Sequence, residues 1–335
     1  MGCENRLAPE SRNGQDPTRK VPEGDPKPGD VVDGRYRLDR EIGRGGHGLV
    51  FRATDIQQGD ISCALKILNQ ATTEDPQYTV RLWREAQSLA ALWGTSVVQV
   101  YGFGTDEANG FVYMVMELLE GETLSQHLAG LELFGDRMSC YRVLEALDPV
   151  ARALHTAHTK GIIHRDVKPS NIIIIYPEKG GGTRLMDFGL AKIHGAMALT
   201  QAGMVAGSPS YISPEVWRAK PFDHRIDVYS FAAVVFRALA GKPPFTGESM
   251  VDILMAATMG ERPTLSNHRP ELGPDCDTWI AKALAIESDD RYPYVSTMWN
   301  DFIRIVMNGR GPSSDRARAN FSVPPESSSG IISGP

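Results

Sequence analysis

Short apolar runs bounded by glycine, asparagine and aspartate occupy residues 36–117 of the sequence. This pattern is typical of β-strands linked by tight turns. The predicted strands are Tyr36–Ile42, Leu49–Asp55, Cys63–Leu68, Val97–Phe103 and Phe111–Met116. Between the third and fourth strands, Tyr78–Leu92 repeats its apolar residues at helical spacing and therefore predicts a helix.

Helical spacing of apolar residues prevails after Gly121. The predicted helices are Leu124–Ala129, Cys140–Lys160, Asp223–Ala240, Ser249–Met259 and Pro274–Ala285. A strand-rich segment followed by a helix-rich one, with a single early helix, predicts an α+β chain in two lobes.

The two ends of the chain have a different composition from the middle. Residues 1–30 contain five prolines and no aromatic residue, and residues 309–335 contain seven serines, four prolines and one aromatic residue. Such segments bury too little apolar surface to offset the entropy lost on ordering. We therefore expect disordered tails at 1–30 and 309–335, with a folded domain at 36–308.

Composition excludes several classes of protein. With 35 basic and 41 acidic residues among 335, the chain has a net charge of −6, which argues against a general nucleic-acid binder. The four cysteines have no CxxC spacing, so neither a disulfide framework nor a zinc site is expected. No signal peptide is visible, and the most apolar stretch, 226–240, is too short to span a bilayer. These features predict a cytoplasmic protein with no membrane span.

A glycine-rich motif follows the first predicted strand. It reads Gly43-Arg44-Gly45-Gly46-His47-Gly48. Glycines let the backbone approach phosphate oxygens closely, but the motif alone also occurs in dinucleotide-binding folds and ordinary turns. A dinucleotide site requires a helix directly after the last glycine, whereas here a strand follows. The context favours a glycine-rich hairpin that covers a nucleotide.

A lysine and a glutamate downstream of this hairpin form a second candidate pair. Lys66 lies inside an apolar strand, where an ammonium group is costly unless it meets an anion. Glu85 lies on the predicted helix Tyr78–Leu92. Each residue alone is better explained as a surface charge. Together with the glycine hairpin, the pair predicts a lysine held by a carboxylate so that it contacts the α- and β-phosphates.

Residues 162–189 carry the strongest chemical signal. Asp166 is a candidate acceptor for the proton of an attacking hydroxyl, and Lys168 is a candidate for neutralising charge on the transferred phosphoryl group. Asn171 and Asp187 offer the oxygen ligands that Mg²⁺ prefers, with Mn²⁺ as an alternative ion. A capped turn explains either motif alone but not both in this order and spacing.

These motifs together resemble those of the eukaryotic-like (Hanks-type) serine/threonine protein kinases, most closely the bacterial branch, over nearly all of 36–308. The resemblance implies a bilobal fold with a β-rich N-lobe at 36–116, a hinge at 117–121 and a helical C-lobe at 122–308, with ATP bound between the lobes. It implies that adenine is held by residues of both lobes and the hinge, namely Val50, Ala64, Met116, Glu117, Leu119 and Ile173.

The resemblance also implies transfer of the ATP γ-phosphoryl group to serine or threonine hydroxyls of proteins, including the chain itself, in signalling. The segment 207–215 resembles the one that docks protein substrates, although Ser208 replaces the usual threonine and Ser213 the usual alanine. Glu215 is expected to pair with Arg291, and Asp227 to accept backbone N–H groups of the catalytic loop. A packed column of Leu89, Val100, His164 and Phe188 is also implied.

Regulation and oligomeric state are less constrained by the sequence. Arg165 requires an anion, which makes Thr200 a candidate phosphorylation site; an unmodified loop threonine explains the sequence equally well. A homodimer has no support in the sequence. Two alternatives to an active protein kinase are a pseudokinase scaffold, disfavoured by the complete motif set, and a small-molecule kinase, disfavoured by the segment 207–215.

Overall fold

The computed structural model describes residues 25–45, 48–68, 89–188 and 209–308. The chain folds into two compact units. The described residues 25–68 and 100–118 belong to the first unit, and 89–99 and 119–308 belong to the second. Among the described residues, the chain passes from the second unit to the first between Gln99 and Val100 and returns to the second between Leu118 and Leu119.

The first unit is built on a six-stranded antiparallel sheet. Its strands are β1 (Val31–Val32), β2 (Tyr36–Gly45), β3 (Gly48–Asp55), β4 (Ile61–Leu68), β5 (Val100–Asp106) and β6 (Phe111–Met116). They lie in the order β1-β2-β3-β4-β6-β5. Neighbours in sequence pair through short turns, except that β4 pairs with β6. A meandering sheet of this kind is what the turn-bounded apolar runs predict.

Alternation along the strands separates a core face from a second face. Leu49, Phe51 and Ala53 of β3 enter the same apolar cluster as residues 63, 65 and 67 of β4. The residues between them, among them Val50 and Lys66, therefore point to the opposite side of the sheet.

All five strands predicted for this unit are observed, with differences at their ends, and β1 is an additional strand that the sequence did not predict. The fourth begins at Val100 rather than Val97, because Val97 instead forms an isolated parallel bridge with Leu185. The hydrogen-bonded chain also begins earlier than the predicted boundary at residue 30, since the Gly29 N–H donates to the Leu38 carbonyl at 2.7 Å.

The second unit is mainly helical in its described residues. Its helices are α1 (Leu124–Leu133), α2 (Cys140–Thr159), α3 (Pro214–Trp217), α4 (Arg225–Ala240), α5 (Met250–Met259), α6 (Gly273–Ala283) and α7 (Val295–Asn308). Helix α4 is buried on nearly all sides and packs against α2, α6 and α7. No helix in the described residues is both long and apolar enough to cross a membrane.

A small three-stranded sheet supports the loops of the second unit. It contains β7 (Gly121–Thr123), β8 (Ile172–Ile175) and β9 (Thr183–Leu185) in that order. Strand β8 begins directly after residue 171, and β9 ends just before residue 187. Because Ile172 pairs with Leu185, the sheet brings the two polar loops side by side.

Two helical segments differ from the sequence prediction. Most of Tyr78–Leu92 lies outside the described residues, and its last turn, Ala90–Leu92, is a 3₁₀ helix. Helix α7 was not predicted, although its buried residues Val295, Met298 and Phe302 recur at helical spacing.

Candidate functional site

The described part of the glycine-rich motif ends β2 and begins β3, with Gly45 opposite Gly48. Gly48 has a φ of +140°, and a Cβ atom there would lie 2.0 Å from the Ile67 carbonyl oxygen. Only glycine fits this backbone. At Gly45 a Cβ would meet no atom of the described residues within 4 Å. Arg44 pairs with the Glu41 carboxylate at 2.9 Å.

The predicted nucleotide-binding residues of the first unit share one face of its sheet. Val50 of β3 lies opposite Lys66 of β4, and Ala64 lies opposite Met116 of β6. Directly opposed residues of an antiparallel pair point to the same side of the sheet. Lys66 is only 8% exposed, so this face carries a largely buried lysine. This face therefore combines small and apolar side chains with one buried cation.

The backbone of the catalytic loop is fixed by a buried carboxylate. Asp227 is fully buried and accepts the N–H groups of His164 at 2.8 Å and Arg165 at 2.9 Å. His158 Nε2 lies 2.8 Å from the same carboxylate. Burial alone would raise the pKa of Asp227, but these hydrogen bonds and the nearby histidines outweigh it and lower the pKa. The expected contact of Asp227 with the loop is confirmed.

Asp166, Lys168 and Asn171 are in direct contact. Lys168 Nζ lies 2.8 Å from Asp166 Oδ2, and Asn171 Nδ2 donates to the same oxygen at 3.1 Å. Asn171 Nδ2 also donates to the Asp166 carbonyl at 2.8 Å. With its amide nitrogen committed to Asp166, Asn171 turns its carbonyl oxygen away from that carboxylate.

The loop that carries Asp187 is anchored beside this cluster. Met186 N–H donates to the Asn171 carbonyl at 2.9 Å, and His164 Nε2 lies 3.0 Å from the Met186 carbonyl. Asp187 has a φ of +55°, an uncommon conformation for a residue other than glycine. The Phe188 ring lies 4.4 Å from the His164 ring, so these two members of the expected column are in contact.

The predicted ion pair of Glu215, the last residue of the segment 207–215, is also confirmed. Arg291 Nη1 and Nη2 bind the two Glu215 oxygens at 2.7 and 2.6 Å, and both residues are buried. Ser230 of α4 donates to the Tyr211 carbonyl at 2.7 Å. These bonds attach residues 211–215 to the helical core.

Several predicted residues lie outside the described part of the chain. They are Gly46, His47, Glu85, Thr200 and Ser208. Of the other predicted residues, Glu117 belongs to the first unit, while Leu119 and Ile173 belong to the second. Ile173 pairs with Arg184 in the small sheet.

Sequence reasoning missed the contribution of His158. Its side chain is almost fully buried and it bonds to a carboxylate 69 residues away. A histidine on the apolar side of a predicted helix carries no sequence signal that separates this role from ordinary packing.

Comparison with known proteins relates the whole folded region to one family. The family model described as "Protein kinase domain" matches residues 36–303. A probable serine/threonine-protein kinase of Streptomyces coelicolor, SCO3848, is 35% identical over 83% of this chain and 40% of its own length. Serine/threonine-protein kinase PknB of Mycobacterium tuberculosis is 35% identical over 90% of this chain and 48% of its own. PknA of the same species is 35% identical over 86% and 64%, respectively.

A solved structure supports the same relationship. The crystal structure of the Mycobacterium tuberculosis PknI kinase domain aligns with a TM-score of 0.65 and 25% sequence identity. The alignment covers 83% of this chain and 98% of that domain. The chain spans only about 40–64% of the length of the curated relatives above.

Proposed function

Because the chain belongs to the protein kinase domain family, we propose that it transfers the γ-phosphoryl group of ATP to serine or threonine hydroxyls of proteins. The observation that supports this most directly is the contact of Asp166 with both Lys168 and Asn171. A carboxylate, an ammonium group and an amide converge there on a loop held by a buried aspartate. Phosphoryl transfer depends mainly on positioning and charge neutralisation, which such a cluster provides.

The first unit fits the triphosphate and the base. Gly45 presents no side chain to phosphate oxygens that approach the hairpin, and Lys66 supplies positive charge on the same face as Val50 and Ala64. We propose that Lys66 binds the α- and β-phosphates and that Val50, Ala64 and Met116 contact adenine. Gly43 and Gly48 belong to the hairpin, and Gly46 stays a predicted contributor. Arg44, His47, Glu85, Glu117, Leu119 and Ile173 remain predicted contributors.

The second unit fits a divalent metal ion. Asn171 directs its amide nitrogen to Asp166, so its carbonyl oxygen is oriented for a different partner. Asp187 follows the residue whose N–H bonds to Asn171. One carboxylate and one neutral oxygen suit Mg²⁺, which keeps phosphate oxygens and waters as its other ligands, and Mn²⁺ is an alternative. When bound, the ion would neutralise charge on the phosphates.

We assign different roles to Asp166 and Lys168. Hydrogen bonds from Lys168 and Asn171 to Oδ2 fix the orientation of the Asp166 carboxylate. That carboxylate orients the incoming serine or threonine hydroxyl and accepts its proton as the new O–P bond forms. The bond between the γ-phosphorus and the β–γ bridging oxygen breaks in the same transfer, and ADP leaves. Lys168 neutralises charge on the transferred phosphoryl group. Autophosphorylation, with Thr200 as the candidate site, and a cytoplasmic location stay predictions.

The test is phosphate transfer from labelled ATP with Mg²⁺ to a generic basic protein. The wild type should label serine and threonine, as shown by phosphoamino-acid analysis, and Asp166→Asn should lower kcat at least a hundredfold, within the range general-base catalysis contributes. Glu145→Gln, which changes an exposed carboxylate paired with Arg142, is the matched control and should leave kcat unchanged.

Other outcomes would contradict the proposal. Labelling of small hydroxyl compounds but of no protein would indicate a small-molecule kinase. Equal labelling by the wild type and Asp166→Asn would show that the label does not arise from this site. Absence of nucleotide binding would support a scaffold.

A further inference from the structure

Helix α4 holds two segments of the second unit at neighbouring positions. Asp227 accepts two backbone N–H groups of the catalytic loop that carries Asp166. Ser230 donates to the Tyr211 carbonyl at 2.7 Å. Residues three apart are neighbours on a helix surface, with about 5–6 Å between their Cβ atoms. The segment that carries Tyr211 is therefore anchored beside the catalytic loop, where the hydroxyl of a protein substrate has to arrive.

The Tyr211 side chain is held by the same helix. Arg237 lies seven residues after Ser230, which corresponds to about two helical turns and to the same face. Arg237 Nη1 donates to the Tyr211 hydroxyl at 3.3 Å. Tyr211 is only 5% exposed, and buried polar groups are stabilised by hydrogen bonds of this kind. Both the carbonyl oxygen and the hydroxyl of Tyr211 are thus fixed by α4.

A carboxylate of helix α1 fixes the orientation of Arg237. Glu132 accepts hydrogen bonds from Arg237 Nε at 2.9 Å and from Nη2 at 3.0 Å. Two parallel bonds fix the plane of a guanidinium group, and they leave Nη1 for Tyr211. The hydrogen bonds to Glu132 also raise the pKa of Arg237, so the group stays charged. The Arg237 and Glu132 side chains are 15% and 26% exposed, so most of the pair is out of reach of solvent.

The contact with Tyr211 extends beyond a link between two helices. The two bonds between Glu132 and Arg237 already join α1 to α4. The third bond, to Tyr211, fixes the segment 209–215 near one end, and the buried ion pair of Glu215 fixes the other end. A segment held at both ends presents one defined surface beside the catalytic loop.

We propose that the pair of Glu132 and Arg237 positions Tyr211, and so sets the surface of residues 209–215 that binds the protein substrate. This rests on the proposed function. Arg237 is a positioning residue, because it acts through Tyr211 and not on the reacting atoms. Within the described residues it bonds to neither of the proposed metal ligands. The pair should therefore govern the KM for the protein substrate and leave the KM for ATP unchanged.

The test is phosphate transfer from ATP with Mg²⁺ to a generic basic protein, with the KM for protein, the KM for ATP and kcat measured separately. Tyr211→Phe removes only the hydroxyl and should raise the protein KM about threefold. Arg237→Ala also leaves Glu132 without its counter-ion and should raise the protein KM about tenfold or more. In both variants the KM for ATP and kcat should stay within about twofold of wild type, which identifies lost binding of the protein substrate.

Exchanging the two charges provides a rescue. Glu132→Arg alone places two like charges together and should raise the protein KM at least as much as Arg237→Ala. The double variant Glu132→Arg/Arg237→Glu restores an ion pair of the same combined length, and the carboxylate at position 237 can accept a hydrogen bond from the Tyr211 hydroxyl. We expect its protein KM to return to within about threefold of wild type, because the two sites are directly coupled. This rescue separates positioning from a loss of fold, even where Arg237→Ala fails to fold.

Two matched controls should leave all three constants unchanged. Tyr176→Phe removes a hydroxyl from an exposed tyrosine of the same unit, and Arg152→Ala breaks an exposed pair with Asp148. Thermal unfolding without substrates establishes that each variant is folded.

Three results would overturn the inference. They are an unchanged protein KM in both Tyr211→Phe and Arg237→Ala, a rise in the KM for ATP equal to that for protein, and a folded double variant that keeps the high protein KM of Glu132→Arg. Absence of transfer by the wild type would count against the proposed function instead.

Discussion

At the scale of single residues, the buried ion pair of Glu215 and Arg291 has the clearest consequence for the free energy of unfolding. The Arg291 side chain is fully buried, and it donates to both Glu215 oxygens and to the Ala285 and Ile286 carbonyls. Removing the carboxylate leaves a buried charge without its counter-ion, which is far more costly than losing an exposed pair.

We therefore expect Glu215→Ala to lower the free energy of unfolding by about 3–5 kcal/mol. Urea denaturation monitored by circular dichroism measures the change. Glu145→Ala removes a carboxylate from an exposed pair with Arg142 and should cost below ~1 kcal/mol. Similar costs for the two variants would show that the Glu215 pair does not hold its segment.

His164 gives the stability a defined pH dependence. Burial lowers the pKa of His164 below its ordinary value, and the folded protein therefore resists protonation there. As pH falls through about 6.5, the unfolded chain takes up a proton that the folded chain does not, so stability is lost. We expect His164→Phe to be less stable than the wild type at pH 7 but to lose less stability between pH 7 and pH 5. Parallel stability curves over this range, from urea titrations at each pH, would refute the assignment.

At the scale of elements, the β2–β3 hairpin depends on one glycine more than on its neighbours. Gly48→Ala places a Cβ against the Ile67 carbonyl and forces a strained φ, so we expect a loss of at least ~1–3 kcal/mol. At Gly45 a Cβ meets no atom of the described residues within 4 Å, so Gly45→Ala should change stability by less than ~1 kcal/mol. Thermal unfolding without nucleotide measures both. A Gly45→Ala protein as unstable as Gly48→Ala would contradict this account of the turn.

The same scale shows how far sequence patterns reach. The alternation of apolar and polar residues predicted the strands that bury one face in the core, such as Leu49–Asp55, because burial on one face imposes a period of two. It missed β1, because a strand of two residues is too short to show alternation. It also missed the β-bulge at Asp39, where the register shifts between Leu38 and Arg40, because such a shift depends on the partner strand. The motifs predicted Asp166 and Asn171 together, being five residues apart. They could not predict His158 bonding to Asp227, since that contact joins distant parts of the chain.

At the scale of the whole molecule, the proposed function assigns Lys66 of the first unit and Asn171 and Asp187 of the second to the same nucleotide. In the first unit, strand pairing in the sheet positions Lys66. In the second unit, a backbone hydrogen bond joins the loops that carry Asn171 and Asp187. The two proposed contributions are chemically distinct. The Lys66 ammonium group would contact the phosphates itself, whereas Asn171 and Asp187 would act through a bound metal ion.

This distinction yields a prediction for nucleotide binding. In wild type, ATP with Mg²⁺ at a hundred times its Kd should stabilise the fold by about 2.7 kcal/mol, seen as a rise in melting temperature. Lys66→Met and Asp187→Asn should each greatly reduce the rise. With the metal removed by EDTA, wild type and Asp187→Asn should bind ATP equally weakly, since the carboxylate acts through the ion, while Lys66→Met should bind more weakly still. If Asp187→Asn weakened binding equally with and without metal, Asp187 would not be a metal ligand. If Lys66→Met had no effect in EDTA, the lysine would not contact the phosphates.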